Sequence, residues 1–487
     1  MTDASPPTAR RVRLQLLDRI LAFDPEAIDA LSERAGLLGE QGLFEQAKRD
    51  YVEIIRRRPT DFAALNDFGA LVLKAGYREA ARSLFGEAVR HHPNHPTGHV
   101  NLGNLLLLLG EQTEARAHFE TALKIDPCHI HAHRGMGNLL AELGDELGAR
   151  RHRDKGFRNH FLTRLPNRGD APPISVLLLV AAAGGNIPTS ALLDDRCFQT
   201  TVLVTEYADP NAALPPHDLI FNSIGDADLC GEALEAAGTL VNQSRRPVIN
   251  HPRTVLGTGR LANTERLRRL PDVVVPRMVK LPRRLLCGVE TSAVAAENGF
   301  TFPLLLRAPG FHTGRHFVRV ETAGQLAAAA AQSPGEEVWL IEPLDASDGG
   351  GMFRKYRVMF IEGKLYPLHL AISRNWKVHY FTADMADCAE NRASDAAFLN
   401  DIRIIGDKGV VALEAILAAL ELDYGGIDFA VSGNGDILFF DANATMVVYP
   451  PARDPKWDYR RQAVDAILGA VHSMLVGRTK TSSGVPG

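Results

Sequence analysis

The sequence predicts a multidomain chain in which an all-α helical-repeat solenoid is followed by a small α/β layer and a larger α+β region. Three observations predict it. Prolines recur every 34 residues, at Pro25, Pro59, Pro93 and Pro127, each ahead of a fresh apolar pattern. The turn-forming text "LPNRGDAPP", residues 165–173, ends the helical pattern, and beyond it short β-rich runs alternate with helical stretches. Late in the chain, "GIDFAV" and "DILFFDAN" flank the turn formers "SGNGD", the pattern of a two-stranded hairpin.

With 487 residues, 45% of them hydrophobic, the chain can bury two or three ordinary cores. A net charge of -4 without a strongly basic region argues against a nucleic-acid partner. Cys128, Cys197, Cys230, Cys287 and Cys388 are dispersed and odd in number, which suits free thiols in a reducing compartment. The longest apolar runs, 105–109 and 174–183, fall short of the roughly 20 residues a spanning helix needs. The N-terminal "MTDASPPTARRVRLQ" has no apolar stretch of secretory-signal length. The expectation is a cytoplasmic protein without a membrane partner.

The repeat has internal detail. Its third unit spaces Leu102, Gly103, Leu106, Ala115, Phe119, Ala122 and Pro127, and its second spaces Phe68, Gly69, Val72, Ala81, Phe85, Ala88 and Pro93. The first keeps Ala35, Leu38, Ala47, Tyr51 and Pro59; a fourth keeps Met136, Gly137 and Leu140, but Arg153 breaks the pattern. Small residues let two antiparallel helices approach, large ones fill the groove, and proline stops the second helix. The pattern resembles the tetratricopeptide repeat, with a leading helix near Val12 to Phe23, and sets a first domain at 10–165. Stacked units of this kind commonly receive an extended peptide or a partner protein, or serve only for homo-oligomerisation, and both readings stand. His129, His131 and His133 in "HIHAH" lack carboxylate or thiolate company in register, which argues against a metal site there. The basic "RRHRDKGFRN" reads as a solvated helix end, with a ligand for acidic groups as the sharper alternative.

A second domain, 174–255, alternates "ISVLLLVA", "TTVLVTEY" and "DLIFNSI" with helical text, the pattern of a small parallel α/β layer. Gly184 and Gly185 lack dinucleotide-binding spacing and suit a tight strand-to-helix turn.

The chemistry concentrates in the third domain, 256–475. In the predicted hairpin, Asp441 and Asn443 lie two apart on one face and Asp428 lies on the neighbouring strand, so the three oxygens can meet. Two carboxylates and an amide oxygen suit Mg²⁺, which also takes phosphate oxygens; the plainer reading is a set of polar hairpin-end residues. Upstream, "TFPLLLRAPGFHTGRHF" is a strand ending in Arg307 and a loop with Gly310 and Gly314, where backbone can approach phosphate. "EEVWLIEPLDASDGGG" is a strand running into a polar connection, and "KYRVMFIEGKLYPLHLAIS" is a strand pair bearing Lys355, Arg357 and His369.

The order of these pieces resembles the ATP-grasp superfamily, above all its glutathione-synthetase and RimK-like branch, over roughly residues 174–475. The resemblance implies two α+β subdomains holding ATP, with the smaller layer helping to form the substrate site. By position it implies Mg²⁺ on Asp428, Asp441 and Asn443, and adenine passing Glu342, Pro343 and Leu344. Arg307, Gly310, Gly314 and Lys355 would lie near the nucleotide, with Arg307 and Arg357 countering developing negative charge. Arginine replaces the usual lysine at Arg307, and aspartate the usual glutamate at Asp441; for a second family lysine only Arg277 or Lys280 is available. The implied reaction is carboxylate–amine ligation through an acyl-phosphate, with positioning and charge neutralisation as the catalytic means. Loops at Gly310 and at "DASDGGGMF" are the expected water-excluding lids. His369 is read either as orienting substrate or accepting the amine proton, or as a buried strand histidine, and Trp376 either as lining an acceptor pocket or as an edge aromatic. A phosphotransferase on the same fold, and a non-catalytic adaptor with a degenerate nucleotide site, are the alternatives.

Overall fold

The computed structural model describes residues 7–288, 290–311, 314–348, 350–380 and 383–482. Of the expected lids, His312, Thr313 and Gly349 lie outside the described residues, as does the chain before residue 7. The chain divides into two compact units, one of residues 1–161, 165–173 and 195–199, the other of 162–164, 174–194 and 200–487.

In the first unit a leading helix α1 (Pro7–Phe23) precedes four antiparallel pairs. These are α2 (Ile28–Glu40) with α3 (Phe44–Arg57), α4 (Phe62–Lys74) with α5 (Arg78–His91), α6 (Pro96–Leu109) with α7 (Gln112–Ile125), and α8 (Ile130–Glu142) with α9 (Glu146–Phe157). Within each pair the turn uses a glycine at positive φ: Gly42, Gly76, Gly110 and Gly144, again 34 apart. Large and small residues meet as the spacing predicts. A Cβ added at Gly69 would come 2.5 Å from Phe85, and one at Gly103 would come 2.9 Å from Phe119. In the fourth pair Arg153 stands at the aromatic's position, and its Cγ would lie 3.2 Å from a Cβ at Gly137. Its aliphatic stem fills the groove, while Nη1 reaches Glu146 at 2.6 Å. Arg153 and Gly156 are buried and His152, Asp154 and Phe157 half-buried, so the predicted solvated helix end holds for Arg150, Arg151, Lys155, Arg158 and Asn159 only.

Two histidine pairs repeat at the same period. His99 Nδ1 lies 3.0 Å from His118 Nδ1, and His133 Nδ1 lies 3.0 Å from His152 Nδ1. The inner ring's Nε2 meets Pro93 O at 2.8 Å or Pro127 O at 3.0 Å, so Nε2 carries the proton and Nδ1 accepts from the outer ring. His118, His133 and His152 titrate below the ordinary imidazole value because burial disfavours the charged ring; the facing ring adds to this at His118 and His152. The unfolded chain therefore takes up protons first, and stability is lost as pH falls from about 6.5 toward the lower folded values. Melting the full chain between about pH 7.5 and 5.5 is expected to lower Tm more in wild type than in His118→Gln/His152→Gln. Equal drops would refute the linkage.

The turn-rich segment after α9 is stitched rather than loose: Asn167 donates to Asp195 O at 2.7 Å and to Phe198 O at 3.1 Å, and Arg168 pairs with Asp195.

The second unit opens with a five-stranded sheet in the order β1-β3-β2-β4-β5, from β1 (Leu162–Arg164), β2 (Ile174–Val180), β3 (Phe198–Val204), β4 (Leu219–Asn222) and β5 (Val248–Ile249). Helix α10 (Gly231–Val241) provides the crossover between the last two strands, so β4 and β5 pair in parallel, as do β2 and β4. The purely parallel layer is corrected at its edge, where β1 runs antiparallel to β3 because it enters without a crossover helix. Gly184 and Gly185 both take positive φ in a tight turn, but the chain runs from it into an isolated bridge, Asn186 to Ile224, and on to β3 without the helix that the sequence reading expects.

Helices α11 (Pro252–Leu256) and α12 (Arg260–Leu267) and strand β6 (Val273–Val274) lead to a four-stranded sheet in the order β7-β10-β8-β9. It comprises β7 (Met278–Pro282), β8 (Leu304–Arg307), β9 (Phe317–Val320) and β10 (Glu337–Ile341), with α13 (Thr291–Glu297) before β8 and α14 (Ala323–Gln332) before β10. One cluster, including Leu304, Leu306, Val338 and Leu340, packs on these helices. The other holds Leu305, Trp339 and Ile341, with Phe317 and Trp376 against it. Alternation along β8 and β10 produces this split.

The remaining sheet has the order β12-β11-β13-β14-β6, from β11 (Phe353–Ile361), β12 (Lys364–Ser373), β13 (Tyr424–Val431) and β14 (Ile437–Asn443). Helices α15 (Ala389–Asn400) and α16 (Asp407–Leu420) lie between β12 and β13 in the chain, and α17 (Arg461–Ser482) follows β14. The predicted hairpin forms, its turn closed by Gly435 N donating to Ser432 O at 3.0 Å.

Candidate functional site

Register builds the site. Arg357 on β11 faces His369 on β12 and Asp428 on β13, and Asp428 faces Asp441 on β14. Directly opposed residues share a face, so His369, Arg357, Asp428 and Asp441 form one polar row across four strands. Asn443 lies opposite Gly426, two pairs further along and so on the same face. A β-bulge flanks the row on each side: pairing shifts between Arg357 and Val358, leaving Leu368 over, and between Asp428 and Phe429, leaving Phe440 over. Bulges sharpen local twist and re-aim side chains, and these two bracket the charged positions.

The three oxygen donors predicted for Mg²⁺ are thus on one face, and each already has a partner. Asp428 is buried and accepts from Arg357 Nε at 2.6 Å and Nη2 at 2.8 Å, and from Lys355 Nζ at 3.2 Å. Burial alone would raise its pKa, but Arg357 and Lys355 outweigh that and hold the carboxyl far below the ordinary range. Asp441 accepts from Arg260 Nη2 at 2.9 Å. Asn443 Oδ1 accepts from Thr445 N at 2.9 Å and Oγ1 at 2.7 Å.

Arg307, at the end of β8, is half-buried and donates to Phe311 O at 2.9 Å across its glycine loop. Burial, with Arg260 nearby, pushes its pKa down to about 10, while Asp441, Asp226 and Asp228 act in the opposite sense. Gly310 and Gly314 both adopt positive φ, and Lys377 Nζ reaches the carbonyl of Gly314 at 3.3 Å. At the Glu342–Leu344 stretch, the backbones of Glu342 and Arg277 pair at 2.8 Å, and the Glu342 carboxylate accepts from Arg277 N at 3.0 Å. Pro343 has no N–H, so the next backbone donor is Leu344. Of the two stand-ins for a second lysine, Arg277 donates to Gly299 O and Lys280 pairs with Glu337 at 2.7 Å. Trp376 packs edge-on against Phe317 at 5.4 Å.

His369 is a buried strand histidine whose Nε2 has no hydrogen-bond partner. Burial first, then Arg357 and Arg460, hold its pKa well below the ordinary value, so it is a neutral ring at pH 7. Tyr380 lies against it at 4.6 Å, with Arg460 over the Tyr380 ring at 4.2 Å and donating to the bulge carbonyl of Leu368 at 3.2 Å.

Sequence reasoning missed Arg260, Asp228, Arg460 and Asp395. Arg260 opens α12, and Asp395 lies on α15, fully buried and accepting from Leu370 N and Tyr459 Oη. In the repeat unit, an open groove of about 660 Å³ is lined by Leu140, Asp145, Arg151, His152, Lys155 and Arg158, among others. No cluster of three or more His, Cys, Asp or Glu residues able to hold a metal occurs among the described residues. No described helix is long and apolar enough to cross a membrane.

No curated protein matches the chain. Among solved structures, it is similar to TTC0263, a thermophilic TPR protein of Thermus thermophilus, at 22% identity over 30% of this chain and 81% of that one, with TM-score 0.27. It is similar to PilF of Pseudomonas aeruginosa at 21% identity over 31% and 75%, with TM-score 0.28. It is also similar to YrrB, described as a TPR protein with an unusual peptide-binding site, at 20% identity over 31% and 80%, with TM-score 0.27. Residues 66–127 match the tetratricopeptide repeat family itself, so the helical pairs around them, with their 34-residue period of glycine against aromatic, make up an N-terminal tetratricopeptide-repeat domain.

Proposed function

We propose that the second unit is an ATP-dependent carboxylate–amine ligase of the ATP-grasp kind, and that the repeat domain binds a peptide or protein partner for it. The observation that carries this reading is the row in which Asp428 faces Asp441 with Asn443 two pairs along on the same face, bordered by Lys355 and Arg357. A hard-oxygen donor set beside several cations is chemistry suited to a metal-bound triphosphate. The sequence of sheets, an α/β layer, a four-stranded sheet whose β8 ends in Arg307 and a five-stranded sheet that contains the Asp-x-Asn hairpin, supports the same reading.

Mg²⁺ bound at Asp428, Asp441 and Asn443 would supply charge neutralisation at phosphate oxygens. The chain's own residues would do the rest. Arg307 and Arg357 would counter negative charge as a substrate carboxylate attacks the γ-phosphorus, giving acyl-phosphate and ADP. An amine would then displace phosphate to form the amide, and Glu342 and Leu344 would offer backbone groups to adenine. The neutral His369, whose protonation burial, Arg357 and Arg460 oppose, would orient substrate through its unpartnered Nε2 rather than take the amine proton.

A non-catalytic adaptor is the second reading, favoured by one observation: every proposed metal donor already has a partner within the chain. Incubation with ATP, Mg²⁺ and pooled amino acids and peptides, followed by mass spectrometry, separates the two. The ligase is expected to form ADP and a new amide, and Asp441→Ala to abolish both. Nucleotide binding without ADP above that variant would leave the adaptor, and a phosphorylated product without amide would indicate a phosphotransferase.

A further inference from the structure

Asp441 differs from Asp428 in who holds it. Asp428 is locked by two residues of its own sheet, one of them bidentate, and its side chain is 11% exposed. Asp441 is 25% exposed and takes a single hydrogen bond, from an arginine on α12. That arginine has a second carboxylate within reach. Arg260 Nε lies 3.8 Å from Asp228 Oδ2, too far to bond, while the Arg260 backbone N–H already donates to the same oxygen at 3.2 Å. Gly259 permits this approach, since a Cβ there would stand 2.8 Å from Asp228 Oδ1. The helix start is further fixed to β14 by Asn263 Nδ2 donating to Ala442 O at 2.8 Å. The backbone of Arg260 is therefore held in place while its guanidinium has two carboxylates to choose between.

Charge makes the choice consequential. Asp226, Asp228, Asp428 and Asp441 are matched in number by Arg260, Arg307, Lys355 and Arg357, so the site balances its own charge before any ligand arrives. A divalent cation approaching Asp441 meets a resident monovalent one on Oδ2 and must compete with its charge. We propose that Arg260 is an internal counter-ion for the cation site: it occupies Asp441 in the free protein and moves onto Asp228 when a divalent cation is bound. Metal loading would then be weak until the phosphates of a nucleotide add the anions that favour it. The inference rests on the reading of Asp428, Asp441 and Asn443 as that site.

The test uses Mn²⁺ as the probe, with free Mn²⁺ measured by electron paramagnetic resonance on the full chain, with and without a non-hydrolysable ATP analogue. Without nucleotide, Arg260→Gln is expected to bind Mn²⁺ about fivefold to tenfold more tightly than wild type, the scale of losing one partly buried ion pair. Adding Asp441→Asn is expected to remove the gain. Asp228→Asn, which deletes the alternative seat, is expected to weaken binding, and a rise would overturn the proposal. If Arg260→Gln does not fold, Arg260→Lys, with shorter reach, should show a smaller gain of the same sign. Equal affinities in wild type and the Arg260 variants, with both loading Mn²⁺ alongside nucleotide, would overturn the role of Arg260 and leave the cation site standing. No Mn²⁺ binding by any of these proteins, with or without nucleotide, would remove the cation site and this role with it.

Discussion

Asp428→Ala is expected to lower the unfolding free energy by about 3–5 kcal/mol, because it leaves buried cations without their counter-charge. Arg357 and Lys355 both end on this carboxylate, with side chains 21% and 15% exposed, and neither can swing to bulk water without leaving the sheet face. Asp428→Asn should cost less, since it retains one acceptor oxygen in the same shape. Urea denaturation of the full chain, followed by a probe of the second unit, measures both. A loss below about 1 kcal/mol for the alanine variant would mean that Arg357 and Lys355 find other partners. The folded carboxyl titrates below its ordinary value of 3.8, so its contribution is present above that value and lost only as pH falls through the lower folded one. Over the neutral range the contribution is constant.

Phe119→Ala is expected to cost the repeat domain about 3–5 kcal/mol, the range for removing a fully buried aromatic ring. Phe119 is 0% exposed and touches the positions where Gly103 and Gly135 lack side chains, so truncation leaves space on two sides that the helices cannot close. The converse change, Gly135→Ala, would drive a Cβ into the Phe119 ring and should cost about 1–3 kcal/mol by overpacking. Thermal melts followed by helical circular dichroism test both. If Phe119→Ala melted like wild type, the 34-residue register would not be what holds these helices together.

Much of this packing is legible because it is periodic. Phe85 and Phe119 meet Gly69 and Gly103 as the spacing requires, and period-two alternation places Asp428, Asp441 and Asn443 on a common face. What the sequence hides is partnership over long separations. Arg260 meets Asp441 from 181 residues away, and nothing local to "TGRLANTER" marks that arginine for a carboxylate. Arg153 breaks the repeat pattern by residue type yet keeps its packing role, because a pattern of residue types does not register an aliphatic stem. The antiparallel edge strand β1 was hidden for a different reason: its three residues are too few to show alternation.

The two unpaired residues beside the polar row bear on how such a chain can vary. Leu368 adds one position to β12 and Phe440 one to β14, so the alternation of both strands changes phase where the charges lie. Removing either would rotate the rest of that strand half a turn, exchanging the side chains on the face of the polar row with those on the opposite face. Substitution can retune this face one side chain at a time, whereas a change of a single codon in length would dismantle it.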